Sequence, residues 1–101
     1  MTDTPIKRGL KPVRPGEVLR EDVLPALGRD KTEIASLLGV SRQTLYDILR
    51  ERKPVSRVMA VRLGKLLGNG PDVWLNLQRR HDLWTAELEV DVSNIPTLSV
   101  A

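Results

Sequence analysis

Residues Lys31 to Arg50 read KTEIASLLGVSRQTLYDILR. The spacing predicts a helix from Lys31 to Leu38. Asp30 stands before it as a cap, and Glu33, three residues on, is placed to reach back and complete a capping box. Gly39 follows where a helix stops and the chain turns with a positive φ. Ser41 then caps a second helix, from Arg42 to about Arg50. Ile34, Ala35 and Leu38 form one apolar face, and Leu45, Ile48 and Leu49 form the facing one. Val40 seals the turn, and Ala35 is small, as a close crossing requires. The outward positions of the second helix are Arg42, Gln43, Thr44, Tyr46, Asp47 and Arg50. A plain helical hairpin would also have the apolar faces. The caps, the glycine, the small crossing residue and the polar outer face together favour a helix-turn-helix that reads DNA.

The flanking sequence fits a small helical body around this pair. Pro15 suits a helix start, and a first helix is expected over Pro15 to Leu27 with Glu17, Glu21 and Asp22 near its positive end. Leu19, Val23 and Leu27, widened by Val18 and Leu24, make its core stripe. Pro25 should bend or shorten the last turn, and Gly28 closes it. After the second helix of the pair comes a basic loop, Glu51-Arg52-Lys53-Pro54-Val55-Ser56, in which Pro54 ends any helix and Ser56 caps the next. A fourth helix, Arg57 to Leu67, turns Met59, Ala60, Leu63, Leu66 and Leu67 inward. Gly64 inside it marks a close contact.

A fifth helix is expected from Pro71 to about Glu87. Trp74, Leu77, His81, Trp84 and Leu88 recur at the 3-4-3-4 spacing of a heptad seam, which suits a dimer interface. Leu75 and Leu83 lie off that seam, so more than one side must be covered. From Leu88 onward, apolar and acidic residues alternate as in a strand, which would need a partner edge. Met1 to Arg14 reads as an extended basic arm with Lys7, Arg8, Lys11 and Arg14.

The chain has 101 residues, enough for one small domain, and a formal net charge of +3. The tail from Glu87 holds three of the 13 acidic residues and none of the 16 basic ones, so residues 1–86 carry a net +6. A basic body favours a polyanion through counterion release. There is no cysteine, which excludes disulfides, thiolate metal sites and thiol catalysis. The single histidine, His81, has no metal-ligating companions by spacing, so no metal or cofactor is expected, and no nucleophile–base pair points to an enzyme. No apolar run approaches the roughly 18 residues of a membrane span, and no secretory leader is evident, as expected for a cytoplasmic protein.

Three blocks carry a family resemblance. RPGEVLREDVLPALG (Arg14 to Gly28), KTEIASLLGVSRQTLYDIL (Lys31 to Leu49) and GPDVWLNLQRRHDLWTAE (Gly70 to Glu87) occur in this order and cover most of residues 14–87. In these the chain resembles the HigA antitoxins, small helix-turn-helix proteins whose first helix opens on an "HPGE" signature. It departs from them with Arg14 in place of His, His81 in place of an aromatic residue, and a loop, Arg50 to Ser56, that lacks the usual glycines. The resemblance implies a type II antitoxin that neutralises a RelE-like (HigB-type) mRNA-cleaving toxin. It also implies repression of the antitoxin's own operon, usually as a dimer. A stand-alone dimeric helix-turn-helix repressor without a toxin is the alternative.

The expected architecture is therefore all-α: a five-helix, lambda-repressor-like helix-turn-helix domain over residues 15–87. A flexible basic arm precedes it at 1–14, and a short extended acidic tail follows at 88–101. Arg42, Gln43, Thr44 and Tyr46 are the candidate readers of base edges, since Arg pairs with guanine, Gln with adenine, and the Thr methyl meets thymine. Thr32, Ser41, Arg50, Arg52 and Lys53 are the phosphate candidates. Asp47 would repel phosphate and is assigned instead to orienting Arg50 or Gln43. A twofold dimer would read an inverted repeat with half-sites about 34–36 Å apart, or a multiple of that. A toxin with a basic face would be masked by acidic surface, either Glu17, Glu21 and Asp22 or Glu87, Glu89 and Asp91.

Overall fold

The computed structural model describes residues 11–99, so the part of the basic arm that holds Lys7 and Arg8 lies outside the described residues. The described chain is all helical. Helix α1 spans residues 15–27, and α2 (Lys31–Leu38), α3 (Arg42–Leu49), α4 (Arg57–Leu67) and α5 (Asp72–Glu89) follow. Each of the three middle helices begins on the expected cap: Asp30 accepts from Glu33 N, Ser41 from Thr44 N and Ser56 from Met59 N. The capping box at Asp30 is only half formed. The Glu33 carboxylate pairs instead with Arg29 on the exposed surface, where an opposite charge outweighs a single backbone amide.

Helix α1 is not a uniform α-helix. Pro15–Val18 and Leu24–Leu27 are α-helical, and Leu19–Val23 between them is π-helical, with Leu24 N donating to Leu19 O. Pro25 explains this: it has no N–H, and its ring crowds the carbonyl four residues back, so the preceding turn widens. The wider turn brings residues five apart onto one face. Leu24 therefore follows Leu19 into the core, Val23 is only half-buried, and Leu27 is 39% exposed rather than part of the core stripe.

The core lies where all five helices meet. Leu19 from α1, Ile34, Ala35 and Leu38 from α2, and Leu45, Ile48 and Leu49 from α3 are buried together. Met59, Ala60 and Leu63 of α4 and Trp74 of α5 complete it. Val40 and Leu66 pack on its margin, as their spacing implies. Gly64 permits a close contact: a Cβ there would sit 2.3 Å from the Gly70 carbonyl carbon. Larger residues are excluded because the α4–α5 turn folds back directly onto α4.

Helix α5 runs to Glu89, two residues past its expected end, and the strand-like alternation from Leu88 does not become a strand. With no strand edge to pair with among the described residues, the backbone continues its helical hydrogen bonds as far as Val90 N to Ala86 O. It then becomes extended, and residues 86–99 are all exposed. No helix among the described residues is long and apolar enough to cross a membrane.

Candidate nucleic-acid interface

The interface is built on α3. Its inner residues, Leu45, Ile48 and Leu49, are fixed in the core, so Arg42, Gln43 and Arg50 are left exposed and Thr44 and Tyr46 half-buried on the outer side. Thr32 at the start of α2 and Arg52 and Lys53 in the following loop are exposed. Tyr46 is held between two cations: the Arg50 guanidinium lies 5.3 Å from its ring centroid and the Lys31 ammonium 5.8 Å. Ser41 is occupied as a cap. Its Oγ accepts from Thr44 N at 3.0 Å and donates to Thr44 Oγ1 at 2.9 Å, which leaves the Thr44 hydroxyl proton free to point outward.

Asp47 orients Gln43 rather than Arg50. Gln43 Nε2 donates to Asp47 Oδ1 at 2.8 Å. The other carboxylate oxygen lies 3.6 Å from Lys53 Nζ, so Lys53 is partly neutralised where it stands. The Asp47 carbonyl accepts from both Arg52 N and Lys53 N, which folds the basic loop against the end of α3. Val55 is buried below that loop, and its N–H donates to Gln78 Oε1 of α5 at 2.8 Å. Gln78 in turn donates to Asp82 Oδ1 at 2.9 Å. Gln78 thus sets the height of the loop. Gln78 lies off the 3-4-3-4 seam, one turn after Trp74, and the sequence pattern did not single it out.

The same C-terminal end of α3 is braced by α1, through residues that periodicity did not single out. Glu51 adopts φ 62°, a left-handed conformation that costs a non-glycine residue. Two arginines hold it there. Arg14 Nη1 donates to Glu51 O at 2.9 Å, and Arg20 Nη1 donates to Leu49 O at 2.6 Å and to Glu51 Oε2 at 3.1 Å. The carboxylates of Glu21 and then Glu51 raise the Arg20 guanidinium above its ordinary value, so it stays charged. These bonds satisfy carbonyls that the end of α3 would otherwise leave open. Gly16 makes the approach possible, because a Cβ there would lie 2.0 Å from Ile48 O. A glycine directly after the helix-starting proline was the available signal, since glycine near a helix start is tolerated where backbone must come close.

The heptad seam on α5 is divided by the fold. Trp74 is 2% exposed and His81 6% exposed, so both belong to the interior of the chain and are not available to a partner. Trp74 Nε1 donates to Asn69 Oδ1, and His81 stacks at a tilt against Trp84 with ring centroids 6.3 Å apart. Burial, followed by the charges of Arg14 and Lys11, holds the His81 pKa below its ordinary value, against the opposing pull of Asp82 and Glu51. Its Nδ1 is buried with no partner among the described residues. Leu77 and Trp84 are half-buried and Leu88 is 66% exposed. Trp84, Ala86, Glu87, Leu88, Val90 and Val92 line an open, largely apolar groove of about 610 Å³.

A scan against protein-family models finds no match. Antitoxin HigA-1 of Vibrio cholerae is 35% identical over 74 residues, which cover 73% of this chain and 70% of that protein. Among solved structures, antitoxin GraA in complex with its operator is 40% identical with a TM-score of 0.81, covering 91% of this chain and 95% of that one. The Pseudomonas aeruginosa antitoxin HigA with the higBA promoter is 33% identical with a TM-score of 0.76, covering 86% and 99%. The two structural matches, at 91% and 86% of this chain, reach well beyond the pair of helices that many DNA readers have in common. The chain belongs to the HigA family of helix-turn-helix antitoxins.

Proposed function

We propose that the chain is a dimeric repressor of its own operon and the neutralising partner of a small RelE-like, HigB-type mRNA-cleaving toxin, acting in the cytoplasm. The observation that carries the reading is α3. Its polar N-terminal side chains stand uncovered beside a basic loop, while its other end is clamped by α1. A reader of base edges needs such an arrangement, because a mobile helix would lose the orientation that makes hydrogen bonds selective. Arg42, Gln43, Thr44 and Tyr46 are the base readers, and Thr32, Arg50 and Arg52 grip phosphates, while Lys53, paired with Asp47, contributes less. Ser41 positions Thr44. Relatives solved with operator or promoter DNA support this assignment.

Dimerisation is assigned to the outer side of α5, through Leu77, Trp84 and Leu88. Two such chains would present paired α3 helices to an inverted repeat. The toxin is assigned to the acidic tail beyond that surface, residues 89–99, where Glu89 and Asp91 flank exposed Val90 and Val92 and no basic residue occurs. A toxin that acts on RNA needs a basic face, and this surface complements it.

One experiment tests both activities. The full chain is tagged in its native host, the small basic polypeptide that co-purifies is identified by mass, and the complex is assayed for RNA cleavage and for binding to DNA upstream of its own gene. A stoichiometric toxin and salt-sensitive, sequence-selective DNA binding are expected. DNA binding with no co-purifying toxin would leave the stand-alone repressor.

A further inference from the structure

Asp47 is an acidic side chain on the face of α3 that should meet a polyanion, yet it is buried, at 9% exposure. Its two oxygens engage two different candidate DNA contacts, Gln43 Nε2 at 2.8 Å and Lys53 Nζ at 3.6 Å. A carboxylate offers acceptors only, so it selects the nitrogen end of the Gln43 amide and ties up one of its two N–H groups. Gln43 is then left with one N–H and one carbonyl oxygen to present. That pair complements adenine, whose major-groove edge offers an acceptor at N7 and a donor at N6. Guanine offers acceptors at both N7 and O6, and would set O6 against the glutamine oxygen. A glutamine free of Asp47 has both amide hydrogens available and would tolerate guanine. Lys53, drawn against the same carboxylate, is less free to reach a phosphate.

We propose that Asp47 is a positioning residue for base readout: it fixes the Gln43 amide so that adenine is accepted and guanine rejected, and it restrains Lys53 from the DNA backbone. Asp47 thereby lowers affinity for DNA in general and raises discrimination at one base pair. The inference rests on the DNA-binding reading above.

The test selects binding sites from random duplex DNA with the full chain, Gln43→Ala, Asp47→Ala and Asp47→Asn, and then measures affinity for the selected site and its A→G variants over a range of salt. Gln43→Ala identifies the base pair concerned. There the wild-type chain should prefer adenine about tenfold, and Asp47→Ala should reduce that to about twofold while other positions keep their preference. Asp47→Ala should also bind every duplex more tightly, with a salt dependence steeper by about one phosphate per half-site. Asp47→Asn keeps an oxygen that accepts from Gln43, so it should retain the adenine preference and share the steeper salt dependence.

An unchanged adenine-to-guanine ratio in Asp47→Ala, or a loss at base pairs that Gln43→Ala does not affect, overturns the positioning role alone. Equal ratios in Asp47→Ala and Asp47→Asn overturn it as well. A wild-type chain that enriches no sequence overturns the DNA-binding reading itself. Should Asp47→Ala fail to fold, Lys53→Ala tests the restraint without disturbing the buried carboxylate. It should weaken binding less than Arg52→Ala, and an equal loss counts against the proposal.

Discussion

Helix α3 and the outer half of α5 both present side chains to solvent, on opposite terms. Behind α3 almost everything is fixed: Gly16 lies against Ile48 O, Arg14 and Arg20 hold Leu49 and Glu51, and Asp47 gathers the following loop. The exposed residues there are polar. Beyond Thr85, by contrast, α5 has no element packed on it among the described residues, and the exposed side chains there include Leu88 and then Val90 and Val92 of the tail. A surface that reads a rigid duplex must be rigid itself. A surface meant for a protein partner keeps apolar area that the single chain leaves uncovered.

The contrast is tested most severely at Gly16. Gly16→Ala places a methyl against backbone that cannot move aside, and α1 must separate from α3. A loss of about 2–4 kcal/mol is expected from such overpacking, read as a lowered Tm in thermal melts followed by circular dichroism. Unchanged stability would mean that α1 does not brace α3.

Arg20→Ala should come next. It removes the donor to Leu49 O and one of the partners that hold Glu51 in its left-handed conformation. A smaller fall in Tm than for Gly16→Ala is expected, together with weaker operator binding, because the end of α3 loosens while its base readers are untouched. Anisotropy titrations against operator DNA check this.

His81 gives a pH-dependent effect of smaller size. Its folded pKa is held below the unfolded value of 6.5. As pH falls through 6.5, the unfolded chain takes up a proton that the folded chain resists, and stability is lost until the lowered folded value is reached. Above 6.5 the neutral side chain costs nothing. His81→Tyr should therefore flatten the decline of Tm on the acidic side of 6.5 and leave the neutral side nearly unchanged. An identical acid profile in the variant would assign the decline to other groups.

The smallest effect on folding is expected at the tip of α5. Leu88→Glu should change the Tm of dilute protein by no more than about 0.5 kcal/mol in equivalent stability, as for an exposed substitution. The same change should abolish the dimer in sedimentation equilibrium. A folded, dimeric Leu88→Glu chain would move the dimer surface away from α5.

Much of this was legible in the chain itself. The caps at Asp30, Ser41 and Ser56, the stop at Gly39 and the inward faces of α2, α3 and α4 follow from local stereochemistry and helical period, and the structure keeps them. The polar outer face of α3 was visible for the same reason: once its inner face is known, its outer face follows, except that Asp47, expected outward, is buried. The α5 seam was only half legible. Period alone places Trp74 and Leu88 on one stripe, but the core ends partway along the helix and divides them between interior and surface.

The sequence by itself therefore determined which segments are helical, where α2 and α4 stop, and which side of α3 is polar, because each depends on residues within a turn or two of one another. Only the tertiary structure decided how α3 is held. The contact of Gly16 with Ile48 O, the bonds from Arg20 to Leu49 O and from Arg14 to Glu51 O just beyond the helix, and the Gln78 bond to Val55 join residues 23 to 37 positions apart. No local pattern encodes such pairs. They arise when packing brings unsatisfied backbone groups from one helix within reach of donors and acceptors on another.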